Sequence, residues 1–165
     1  MRIFLFLAPL VFAACSTDTK SDDSTDSGEE NAVQDRADQL WLDLEGYSDW
    51  AQHTDWTGVV SSDDGTHGAF VSIWMNDIAA TAIDAADGAD MPEGAIIVKE
   101  GYSDAEGADL GGITVMLKES GWGDDGWFWA KYPTDGSGTA NLAGSPSGCT
   151  GCHSSGQDSV LFTTW

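Results

Sequence analysis

Gly68-Ala69-Phe70-Val71-Ser72-Ile73-Trp74-Met75-Asn76 reads as a strand with apolar residues on both sides. A β-strand turns successive side chains to opposite faces, so Ala69, Val71, Ile73 and Met75 share one face and Phe70 and Trp74 the other. Such a strand belongs in a sheet that is covered on both sides. The Ala-rich stretch from Asp77 to Ala86 is expected to be a short helix, capped by Asn76 or Asp77 and closed by Gly88. Pro92-Glu93-Gly94 then turns into a second strand, Ala95 to Glu100. Ile113 to Glu119 and Trp127 to Tyr132 read as a third and a fourth, and Val160 to Trp165 as a final candidate. Upstream, Val33, Ala37, Leu40, Trp41 and Leu44 recur at the helical period on one face, with Asn31 as N-cap and Gly46 as stop. Tyr47 to Val60 reads as irregular. Short strands joined by Gly- and Asp-rich turns, an N-terminal helix and a short additional helix predict an α+β domain built mainly on an antiparallel sheet.

The chain has 165 residues, enough for one domain, with 28 Asp plus Glu against six Lys plus Arg and a formal net charge of −22. That charge repels phosphate backbones and excludes nucleic-acid binding. Eight Trp exclude a wholly disordered acidic chain. At the N-terminus, Arg2 precedes an apolar run from Ile3 to Ala14, broken only by Pro9. The run is too short to span a bilayer and suits the hydrophobic region of a signal peptide, residues 1–14. Phe12-Ala13-Ala14-Cys15-Ser16 resembles the lipobox of bacterial lipoproteins, in which Cys15 takes the lipid; Phe12 stands where an aliphatic residue is usual. The alternative is plain secretion with an incidental thiol at Cys15. Ser16 directs such a lipoprotein to the outer membrane of a Gram-negative envelope, on its periplasmic face. Ser16 to Glu30 holds no apolar residue, so residues 15–30 are expected to be a lipidated Cys and a disordered acidic tether, with the domain over 31–165.

Gly121-Trp122-Gly123-Asp124-Asp125-Gly126 matches G-x-G-x-x-G, but a dinucleotide site needs a helix after it, and a strand, Trp127-Phe128-Trp129, follows. It is read as a hairpin loop. Asp63-Asp64 and Asp124-Asp125 match no EF-hand and are read as solvated turns.

Cys149-Thr150-Gly151-Cys152-His153 is C-x-x-C-H, the attachment sequence of c-type haem. The thiols of Cys149 and Cys152 add to the two haem vinyls, and the adjacent His153 is placed to bind the iron. Attachment takes place outside the cytoplasm, in agreement with an export signal. The alternatives are a Cys149–Cys152 disulfide, a redox-active dithiol, and a zinc site short of ligands. Electron-transfer cytochromes of the common helical class carry this motif near the N-terminus; here it follows several strands.

That order resembles the cytochrome P-460 family. The matching blocks are His67-Gly68 leading into VSIWMN, PEGAIIVKE from Pro92 to Glu100, ITVMLK from Ile113 to Lys118, GWFWAKY from Gly126 to Tyr132, and CTGCH followed by Asp158 and an apolar finish. The resemblance covers roughly Leu40 to Trp165. It implies one covalent haem c with an open distal side, where a small nitrogenous or diatomic ligand binds iron. Catalytic members are oxidoreductases that oxidise hydroxylamine and carry a lysine–haem bond. The related cytochromes c′-beta have an apolar, often Phe-capped pocket and bind nitric oxide or carbon monoxide. It also implies a homodimer, and the acidic surface suits electron transfer to a basic redox partner cytochrome.

Lys99 matches the family position of the cross-link. Alternation places it with Ala95 and Ile97, with Ile96 and Val98 opposite, and burial of such a lysine is costly unless it is neutralised or bonded. Alternatively it ends the strand and points at Glu100, a haem propionate or solvent. Hydroxylamine oxidation needs a base near the iron. Candidates are His67 and the acids before the haem motif, of which Asp135 alone lies between Tyr132 and Cys149. Phe70, Trp74 or Phe128 are candidate caps, and His53 and His67 candidate sixth ligands.

Overall fold

Six strands pair in chain order into one antiparallel sheet: β1 (Val60–Ser61), β2 (Phe70–Met75), β3 (Ile96–Tyr102), β4 (Leu110–Lys118), β5 (Trp127–Tyr132) and β6 (Leu142–Gly144). Among the described residues three α-helices accompany them: α1 (Asp26–Asp43), α2 (Asp77–Ala85) and α3 (Ser147–His153). This is a computed structural model, which describes residues 26–63 and 65–165. The signal segment, Cys15, most of the expected tether and Asp64 lie outside the described residues.

The α+β reading with a mainly antiparallel sheet holds. The 121–126 loop connects β4 to β5, as a hairpin should. Several boundaries differ. Helix α1 begins at Asp26, inside the stretch expected to be tether, so Asn31 sits within it rather than capping it. Glu29 and Glu30 near its start suit the positive end of the helix dipole. In α2, Asn76 is the cap, accepting from the Ala79 amide at 3.0 Å, but the left-handed closing residue is Ala86, not Gly88. Val160 to Trp165 is no strand: its isolated bridge, Val160 to Gln157, is local and pairs with none of the six strands. Asp158 and Ser159, at φ 39° and 64°, turn the chain immediately before it. The helix over the haem motif, and the short strands β1 and β6, carry too few residues to show a period.

The sheet is apolar on both faces. Val98, Val115, Leu117, Phe128 and Tyr132 pack against Ala37, Leu40 and Leu44 of α1. The buried Tyr132 hydroxyl donates to the Ala37 carbonyl at 2.7 Å and ties helix to sheet. On the other face Ile73, Met75, Ile97, Met116, Trp127 and Trp129 meet Ala79 and Ile83 of α2 and Val160 of the C-terminal segment.

Glu100 sits on the α1 face. Its carboxylate accepts from the Tyr47 and Tyr102 hydroxyls, both at 2.7 Å, and from the Trp74 indole at 3.0 Å. Burial, and then the bond to Glu100, pushes both phenols well above their usual pKa. Arg36 of α1 makes two hydrogen bonds to Glu119, at 3.1 and 2.8 Å.

Burial works against the Glu119 charge, but hydrogen bonds from Arg36 and Trp122 outweigh it and hold its carboxyl below the ordinary range. A depressed carboxyl stabilises the fold above its unfolded pKa, about 4.3, and loses that contribution as pH falls through the folded value. Glu119→Gln is therefore expected to be less stable than the parent at neutral pH. The gap should close as pH falls through the folded pKa of Glu119, as read by urea unfolding across the acid range.

Candidate haem site

Between the second face of the sheet and the C-terminal segment lies a cavity of about 440 Å³. Strand register sets its floor. Ile73, Lys99, Thr114, Lys131 and Leu142 form one cross-strand row, and Met75, Ile97, Met116, Trp129 and Gly144 the next. From these rows Lys99, Thr114, Lys131, Leu142, Ile97, Met116 and Trp129 line the cavity. Lys99 and Lys131 flank Thr114 two strand spacings apart, roughly 10 Å. Helix α3 supplies the opposite wall. Cys149 and Cys152, three residues apart on one helix face, line the cavity together with His153.

His153 is 7% exposed and its Nδ1 lies 2.7 Å from the Ser159 carbonyl oxygen. A carbonyl only accepts, so Nδ1 carries a hydrogen, and in the neutral imidazole the lone pair is then on Nε2. The Trp129 ring packs 4.7 Å from the imidazole, centroid to centroid. Trp129 Nε1 is a buried donor without a hydrogen-bond partner among the described residues.

Lys99 is therefore in the cavity wall with all three residues of the haem motif, and Glu100 is turned to the other face by its three donors. His67 is there too: its Nδ1 lies 3.2 Å from Thr114 Oγ1, and its ring centroid 6.2 Å from that of His153. The segment carrying His67 crosses the end of β3 at Gly101, where a Cβ would fall 1.5 Å from the His67 carbonyl oxygen. A glycine inside a strand was the available signal of such a crossing.

Other candidates fall elsewhere. Trp74 and Phe128 pack on the α1 side of the sheet, and Phe70 shares the parity of Trp74 on β2, so none of the three caps the cavity. Trp56 and Phe162, from segments without strand periodicity, stand in its wall instead, 6.5 Å apart. His53 caps a 3-10 turn: Nδ1 accepts from the Asp55 amide at 3.2 Å and Nε2 faces Thr163 Oγ1 at 3.4 Å. Asp135 is exposed and receives the Ser137 amide at 2.9 Å.

Both motif thiols are free, and burial, reinforced by Cys152, raises the Cys149 thiol pKa. A redox-active dithiol needs a lowered one. Among the described residues no three His, Cys, Asp or Glu side chains converge as a metal ion requires, which disfavours zinc. Two thiols, a histidine whose Nδ1–H is held by a carbonyl, and a cavity walled by Trp and Phe rings form a donor set that fits a covalently held haem.

The sequence profile of cytochrome P460 matches residues 44–163. The chain belongs to the cytochrome P460 family. No curated protein matches it significantly. As a member of the cytochrome P460 family the protein is a haem c cytochrome that binds iron through its haem. In this cytochrome the floor of the cavity depends on Gly101 for the place of His67. Gly101→Ala is expected to destabilise the fold by about 1–3 kcal/mol, because β3 or the His67 segment must shift to admit the methyl group. Urea unfolding measures the loss, and a change in the haem absorption spectrum reports the moved wall.

Proposed function

We propose that this cytochrome oxidises hydroxylamine, or a related small nitrogen species, at an open-site haem and passes the electrons to another cytochrome. The observation that carries the reading is Lys99, set in the wall of the cavity that also holds Cys149, Cys152 and His153. Cys149 and Cys152 would hold the haem as thioethers, and His153 Nε2 would bind its iron, because Nδ1–H is committed to Ser159. The haem supplies the redox centre and a coordination position for the nitrogen of the substrate. Lys99 is the third candidate for a bond to the macrocycle. His67, with Thr114 at its Nδ1, is the basic group of the wall suited to take substrate protons. The protein is read as exported, anchored by lipid at Cys15 on the periplasmic face of the outer membrane. Its acidic surface suits a basic cytochrome partner, and a homodimer follows from the family likeness.

A second reading, gas binding without turnover, is favoured by Trp56 and Phe162 in the wall. Spectra of the purified ferrous protein, followed by hydroxylamine with an electron acceptor, separate the two. The enzyme reading expects a red-shifted ferrous Soret band, acceptor reduction, and a Lys99–haem peptide by mass spectrometry. Lys99→Met should lose all three. An ordinary c-type band that responds to carbon monoxide but shows no turnover selects the second reading, and a low-spin spectrum with two histidine ligands defeats both.

A further inference from the structure

The turn that presents the Ser159 carbonyl to His153 is held by a buried ion pair. Asp158 and Ser159 both have positive φ, a conformation that residues other than glycine adopt only when their surroundings impose it. The surroundings here are the ends of β4 and β5. Lys118 Nζ lies 2.7 Å from Asp158 Oδ1 and also donates to the Asp125 carbonyl at 2.8 Å. The Trp127 indole donates to the Asp158 carbonyl at 2.9 Å, the Met91 amide to Asp158 Oδ2 at 2.7 Å, and Ser159 Oγ to Asp125 Oδ2 at 3.0 Å. The Lys118 and Asp158 side chains are only 13% and 8% exposed.

We propose that the Lys118–Asp158 ion pair is a positioning device for His153, fixing the Ser159 carbonyl on Nδ1–H and thereby setting the donor strength of Nε2. A buried ion pair stabilises a fold little better than apolar residues of the same size. What this one supplies is placement. With Asp158 held by its carboxylate and its carbonyl at once, the following peptide has one orientation, and its oxygen meets the imidazole. A firm acceptor on Nδ1–H makes the imidazole a stronger base at Nε2, which favours the oxidised iron over the reduced. Lys118 and Asp158 act through Ser159 and touch neither ligand nor substrate. The inference rests on the reading of His153 as the iron ligand.

The test uses full-length, haem-loaded Asp158→Asn and Lys118→Met proteins, with Glu119→Gln as a control that breaks the Arg36–Glu119 pair on the other face of the sheet. The reduction potential and the ferrous iron–histidine Raman band are measured beside urea stability. All three variants are expected to lose stability. In Asp158→Asn and Lys118→Met alone the potential should rise and the iron–histidine band move to lower frequency, and Lys118→Arg should return both toward the parent. Should Lys118→Met not fold, Asp158→Asn, which keeps the size of the side chain, decides. Lowered stability with potential and band unmoved overturns the positioning role. A parent protein without histidine on its iron overturns the ligand reading and this inference with it.

Discussion

A sheet that is apolar on both faces must be covered twice, and the two-residue period of a strand decides which side chain meets which cover. Helix α1 covers one face; α2, α3 and the C-terminal segment cover the other and leave the cavity between them. On β3 the constraint is sharpest. Val98, Glu100 and Tyr102 go to the α1 side, and Ile97, Lys99 and Gly101 to the cavity. The three donors on Glu100 lock that choice, since a buried carboxylate without them would be costly. A slip of one residue would put Lys99 beneath α1 and Glu100 in the cavity. The chemistry of the site thus depends on polar bonds formed on the opposite face.

Charge follows the same division. Among the described residues, Arg36 and Lys118 hold structural carboxylates, Glu119 and Asp158, one on each side of the sheet. Lys99 and Lys131 stand on the row that floors the cavity. In a chain of net charge −22, positive charge at the cavity is scarce and comes from strand register, while 13 of the 24 acids among the described residues lie in turns and loops outside helices and strands. An acidic exterior around a cation-bearing cavity repels other acidic surfaces and would attract the basic partner proposed above.

Much of this was legible in the residues. C-x-x-C-H identified the cofactor because two thioethers and an axial imidazole need that spacing. Alternation grouped Val71 with Ile73 on one strand and Lys99 with Ile97 on the next, and the family likeness singled out Lys99; the register that sets Ile73 beside Lys99 came from the structure. The expected caps failed for a physical reason: Trp74 and Phe128 are large and apolar, but parity sends both to the α1 side. Large aromatic residues mark a buried face without saying which one. His53 failed likewise, because a histidine that caps a turn looks, in sequence, like one that lines a cavity.

By itself the sequence determined the local periods, the α+β class, the haem motif and the parity of Lys99, since each depends on neighbours a few residues apart. Only the tertiary structure decided that the Asp158–Ser159 turn is pinned by Lys118 and Trp127, some 30 to 40 residues upstream. It alone brought His67 across Gly101 into the cavity wall, and Trp56 and Phe162 beside it. These contacts join segments with no periodic relation. They arise when the second face of the sheet is covered, and no pattern within one segment records which distant segment will cover it.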